Sequence, residues 1–159
     1  MVRKRTLVLG LGNEINSDDG VGVIAVQMLE TQLPEEADFL TTSEHGVSIL
    51  ELFLGYERVL LVDAIQSGRN RPGTVVELNP DDFGPVLAPS PHFSGLPEMI
   101  TIGRELDLEF PKEIKILAIE VEDPYSIGEE LSESVKAGLP ELVSRARSEL
   151  LKWRTGESR

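Results

Sequence analysis

The sequence predicts an α/β fold, a three-layer sandwich in which a mostly parallel sheet carries helices on both faces. Apolar runs without alternation, such as Leu7-Val8-Leu9 and Val59-Leu60-Leu61-Val62, are the pattern of strands buried on both sides. Between such runs lie stretches whose apolar residues recur at helical spacing. Strands that alternate with helices favour parallel pairing, because a parallel crossover needs a dozen residues or more and a helix supplies them.

Taken in order, the first strand starts at Leu7 and stops at the glycine pair Gly10 and Gly12. Gly20 to Leu33 carries Val23, Ile24, Val26, Met28 and Leu29 with little polar interruption, which predicts a helix packed hard on the sheet and ended by Pro34. Ala37 to Thr41 is the second strand. After Glu44-His45-Gly46, the apolar positions 47, 50, 53 and 54 form a helical face that Gly55 stops. The third strand, Arg58 to Asp63, ends in an acid. Pro72-Gly73 turns the chain into Thr74 to Leu78, a strand that follows no helix and so need not run parallel to the others. Asn79 to Pro91 is rich in Pro and Asp, lacks periodicity and reads as a loop of functional length. Leu96 to Leu108 is predicted helical, with Met99, Ile100, Ile102 and Leu106 apolar. Ile114 to Ile119 is the last strand. Ser126 to Trp153 closes the chain as a helix that Pro140 is expected to kink or interrupt, and the polar tail from Arg154 is expected to fray.

A chain of 159 residues is long enough for one domain, residues 1–159, with a substantial core. Cysteine is absent, which excludes a disulfide framework, a thiol nucleophile and a zinc–thiolate site. Met1 to Arg5 is basic, but the apolar segment behind it is short and broken by glycines and acids, so neither a signal peptide nor a membrane span is expected, and the protein is expected to be soluble and cytoplasmic. The formal net charge of −13 argues against nucleic acid, whose phosphates it would repel.

The residues that suggest chemistry lie at strand ends. Asp18 and Asp19 follow the first strand's glycines, at the rim where open α/β sheets place their ligands. A single helix cap by Ser17 or Asp18 would explain one acid, and it leaves Asp19 to point elsewhere. Asp63 ends the third strand, so parallel pairing of strands one and three would bring it to the same rim. Taken alone, an acid at a strand end is more often solvated or capping. Acids brought together invite a shared proton or a cation. The chain has two histidines, His45 and His92, and spacing does not choose between them. Two carboxylates and one imidazole would form a mixed site with open positions, suited to a first-row metal such as nickel or zinc. A dinucleotide fingerprint is the rival explanation of Gly10-Leu11-Gly12, but position 15 is isoleucine where the third glycine belongs, and acids crowd the helix start where a pyrophosphate would sit.

Gly10-Leu11-Gly12-Asn13, Asp18-Asp19-Gly20-Val21-Gly22, Val62-Asp63-Ala64 and Ser90-Pro91-His92-Phe93-Ser94-Gly95-Leu96, in that order, resemble the maturation endopeptidases of [NiFe]-hydrogenases. The resemblance implies a twisted five-stranded sheet between helices. It selects His92, and implies that Asp19, Asp63 and His92 are both the metal ligands and the catalytic residues of an aspartyl-type endopeptidase. The implied substrate is the hydrogenase large-subunit precursor, cut once near its C-terminus after nickel insertion, with the nickel carried by the precursor and not held tightly by the free enzyme. Two positions depart from the family pattern and bear on which hydrogenase is served. Glu44-His45-Gly46 stands where Asp-Gly-Gly is common, and Glu120-Val121 where Gln-Pro or Glu-Pro is common. A docking chaperone for the same precursor and, below it, a nucleotide-binding domain are the alternatives.

Overall fold

The computed structural model describes residues 6–13, 15–44, 47–80, 96–106, 109–122, 127–128 and 130–155. The chain runs β1 (Thr6–Leu11), a 3₁₀ turn (Ser17–Gly20), α1 (Val21–Gln32), β2 (Asp38–Thr42), α2 (Val47–Phe53), β3 (Arg58–Ile65), β4 (Val75–Leu78), α3 (Leu96–Glu105), β5 (Glu113–Glu120) and α4 (Glu133–Thr155). The strands form one five-stranded sheet in the order β2-β1-β3-β5-β4. β1 pairs in parallel with β2 and with β3, and β3 with β5, while β4 joins β5 antiparallel.

The antiparallel edge follows from the connection: Pro72-Gly73 reverses the chain within a few residues, where a parallel return would need a crossover. In β3 the alternation of side chains divides the core. Leu60, Val62 and Ala64 join the cluster under α1 and α4, whereas Val59, Leu61 and Ile65 join the cluster under α2 and α3. Both faces are therefore covered, as unalternating strands require.

α4 departs from expectation at its start and at its proline. The described residues before it, 127–128 and 130–132, are not helical: Gly128 bridges to Asn16, and the helix begins at Glu133. The reason is local, because the Ser132 N–H and hydroxyl are both held by Asp18, which fixes the entry point. The helix then runs through Pro140 without interruption. Proline removes one backbone bond and costs about 3 kcal/mol, whereas Val135, Leu142, Val143, Leu150 and Trp153 are each buried, at about 1.5–3 kcal/mol per large side chain, so packing wins. Nor does Arg154 fray, since its guanidinium lies 2.8 Å from Glu36 in the last described turn.

α3 is shorter than its apolar pattern. Leu96 and Ile100 face the core, and Gly103 makes room for Phe110, whose ring would lie 2.6 Å from a Cβ at that position. Ile102 and Leu106 are exposed. No helix among the described residues is long and apolar enough to cross a membrane.

Candidate active site at the carboxyl rim of the sheet

The first two acids are positioned by glycines. Parallel pairing sets Gly10 beside Val62, so β1 and β3 end on one rim. The start of α1 sits directly on that rim: a Cβ at Gly22 would lie 2.5 Å from the Val62 carbonyl oxygen and 2.6 Å from that of Leu11. Gly12, at φ +147°, is similarly tight, since a Cβ there would collide with the Asp19 carbonyl oxygen. Larger residues at these two positions would push the 3₁₀ turn, and the acids it carries, off the strand ends.

Asp18 and Asp19 then take different parts. Neither the 3₁₀ turn nor α1 has a side-chain cap, so the expectation that Ser17 or Asp18 caps its own helix is corrected. Asp18, 2% exposed, instead reaches across to α4, where Oδ1 accepts the Ser132 N–H at 2.7 Å and Oδ2 the Ser132 hydroxyl at 2.8 Å. Its carboxylate closes the N-terminus of a helix more than a hundred residues away in sequence. Asp19, 8% exposed, accepts the Asn13 N–H on Oδ2 at 2.9 Å, while Asn13 Oδ1 accepts the Ile15 N–H at 3.1 Å. The turn between them is held in an uncommon conformation, Ser17 at φ +36°, by bonds from its N–H to Gly128 and from its hydroxyl to Glu130.

Asp63 is fully buried within β3, and the 3₁₀ turn bearing Asp18 and Asp19 packs against that strand. Its position in the alternation is that of Leu61 and Ile65, on the side of α2 and α3. Oδ1 accepts the Ala64 N–H at 2.7 Å. The interior of β3 is otherwise apolar from Val59 to Ile65, so a carboxylate there is not a packing residue.

His92 and His45 lie outside the described residues. What is described is the helix that follows His92. The segment after α3 returns to the start of β3, with Gly55 N–H on Glu109 at 2.8 Å and Lys112 N–H on Glu57 at 2.8 Å. That end of α3 is thus at the amino rim, and Leu96 starts the helix at the carboxyl side, on the same face as Asp63. Among the described residues no three His, Asp or Glu side chains gather as a metal site, so two of the three expected ligands, Asp19 and Asp63, are described and the third is not.

One buried acid enters the sequence reading only as a departure from the family pattern, without a structural role. Glu120, 2% exposed, ends β5 opposite Ile65 and accepts from the Ser67 N–H at 2.7 Å, the Ser67 hydroxyl, the Gly68 N–H at 3.2 Å and the Asn70 amide at 3.4 Å. An apolar strand ending in an acid was the signal that singled out Asp63, and Ile114 to Glu120 carries the same signal.

A model of the hydrogenase maturation protease family matches residues 23–149. The hydrogenase 2 maturation protease of Escherichia coli K12 is 31% identical over 119 residues, spanning 72% of this chain and 72% of its own. The hydrogenase expression/formation protein HupD of Rhodobacter capsulatus is 27% identical over 155 residues, covering 94% of this chain and 73% of that protein. Among solved structures, the hydrogenase maturating endopeptidase HybD from Escherichia coli superposes with a TM-score of 0.79 at 27% identity, covering 93% of each chain. The [NiFe] hydrogenase maturation protease HybD from Thermococcus kodakarensis gives 0.71 at 32% identity, covering 92% of this chain and 99% of that one.

Proposed function

The chain belongs to the hydrogenase maturation protease family and is a hydrogenase maturation endopeptidase; we propose that it hydrolyses one peptide bond near the C-terminus of a [NiFe]-hydrogenase large-subunit precursor, after nickel has been inserted. The observation that supports this most is that β1 and β3 are parallel neighbours ending on one rim, β1 leading into the turn that carries Asp19 and β3 carrying Asp63, with both acids buried. Ligands of open α/β sheets bind outside the carboxyl ends of the strands.

In this reading Asp19, Asp63 and His92 approach nickel that the precursor already carries, so nickel belongs to the substrate and not to the free enzyme. Carboxylate oxygens and an imidazole nitrogen suit a borderline divalent ion, and a bound precursor would be fixed with its scissile bond beside them. Hydrolysis needs a base for the attacking water, and a carboxylate of the pair is the base this chain offers, as in an aspartyl-type peptidase. A precursor without nickel lacks the anchor and is left uncut. The enzyme acts in the cytoplasm.

The test is the mass of nickel-loaded precursor before and after incubation. Wild-type chain should remove the C-terminal segment, while Asp19→Ala, Asp63→Ala and His92→Ala should leave it attached and keep native circular dichroism. Wild-type processing by all three variants would refute the assignment, and binding by the wild type with no loss of mass would indicate a docking chaperone.

A further inference from the structure

The loop that leaves Asp63 is pinned, and what it presents is positive charge. From β3 the chain continues as Gln66-Ser67-Gly68-Arg69-Asn70-Arg71-Pro72-Gly73 before β4. Glu120 holds it from below through Ser67, Gly68 and Asn70. The Gln66 amide donates to the Glu122 carbonyl at 2.8 Å, and the Gly73 N–H donates to the Glu120 carbonyl at 2.8 Å. Gly73 is also locked onto α4, where a Cβ would run into the Ser134 carbonyl.

A buried carboxylate met only by neutral donors is an expensive way to order a surface loop. The side chains so ordered include Arg69 and Arg71, both exposed, and among the described residues neither guanidinium has a hydrogen-bond or ion-pair partner. Arg58, Lys115, Lys136, Arg145, Lys152 and Arg154 each have a carboxylate within 4.0 Å. Among the described residues Arg104, Lys112 and Arg147 have none: Arg104 and Lys112 belong to the amino rim with the end of α3 and the start of β5, and Arg147, on α4, donates to the Gln32 side-chain oxygen at 3.4 Å. Arg69 and Arg71 stand at the carboxyl rim, where Asp19 and Asp63 lie.

We propose that Arg69 and Arg71 are the docking contact for an acidic segment of the precursor polypeptide, which their loop aligns beside Asp63. The proposal rests on the function proposed above. The enzyme's own negative field repels acidic partners, so a precursor gains only if its carboxylates fall on these two guanidinia, which selects the partner and sets its register. A loop already ordered by Glu120 loses little entropy on binding.

The probe is nickel-free precursor, which separates this contact from any contact with the metal, and the readout is the dissociation constant by biolayer interferometry. Arg69→Glu/Arg71→Glu should weaken binding at least about tenfold, and the wild type, but not this variant, should lose affinity between low salt and about 0.3 M NaCl. Glu120→Ala should weaken binding as well. Glu120→Gln should restore it, because one amide oxygen still accepts the Ser67 and Gly68 N–H groups while the Ser67 hydroxyl can turn to accept from the amide nitrogen. An affinity within about twofold of wild type for the double reversal, or no binding of nickel-free precursor by the wild type, overturns the proposal. Cleavage of nickel-loaded precursor by the wild type, measured beside it, tests the proposed function separately.

Discussion

Replacing Asp18 by alanine should destabilise the protein more than any other single change at the rim, without touching the residues assigned to chemistry. The side chain is 2% exposed and accepts two bonds from Ser132, at 2.7 and 2.8 Å. Hydrogen bonds to a charged group contribute about 1.5–3 kcal/mol each, and loss of a helix cap alone costs about 1 kcal/mol. The two bonds share one partner and do not add in full, so about 3–4 kcal/mol is expected for Asp18→Ala. For a chain of this size each kcal/mol moves the melting temperature by roughly 2–4 °C, which places the drop near 10 °C. Asp18→Asn should lose much less, because its amide oxygen can still accept the Ser132 N–H and its amide nitrogen can donate to the hydroxyl. Thermal melts followed by circular dichroism read both variants. A drop below about 3 °C for Asp18→Ala, or equal drops for the two variants, would refute the idea that this carboxylate ties the 3₁₀ turn to α4.

Gly22→Ala should cost about 2–4 kcal/mol and slow cleavage, since the added Cβ meets the backbone oxygens of Val62 and Leu11 and must lift the turn that carries Asp19; urea midpoints within about 0.5 kcal/mol of wild type would contradict the contact. Asp63→Asn, which keeps shape and removes charge, should lower the rate of tail removal at least about 100-fold while the fold persists, and a rate near wild type would exclude Asp63 from the chemistry. Burial disfavours the charged Lys115, but its bonds to Glu149 at 2.7 Å and Glu77 at 3.1 Å and their charges outweigh this, so its pKa is raised above 10.5. A group raised in the folded state contributes fully below its unfolded pKa and is lost as pH climbs through the folded value. Wild-type stability should therefore fall above pH 10.5 more steeply than that of Lys115→Met, and parallel urea midpoints across that range would refute it.

Much of this architecture could be read from residue patterns, and the exceptions have physical causes. Strand positions are visible because burial on both faces leaves unbroken apolar runs, and Pro72-Gly73, with no helix before the fourth strand, leaves that strand free of the parallel rule, which the structure resolves as antiparallel. Asp19 and Asp63 stand out in the sequence as acids at strand ends, and the parallel pairing of β1 and β3 puts those two strand ends on one rim. The role of Asp18 was hidden because its partner, Ser132, is 114 residues away, and a local cap was the simpler local explanation. Pro140 does not interrupt α4, because the apolar stripe that the sequence shows holds the helix against the sheet on both sides of it. The packing of α3 is not legible in its apolar residues, since Gly103, which carries no hydrophobic signal, is where Phe110 packs. The choice of His92 over His45 came from resemblance alone, and both lie outside the described residues.

The most direct measurement is the mass of the large-subunit precursor after incubation with wild-type chain, with precursor prepared in the presence and in the absence of nickel. Release of a C-terminal peptide from the loaded form alone is the predicted result. Equal cleavage of both forms would contradict recognition through the metal, and no cleavage of either would contradict the proposed substrate.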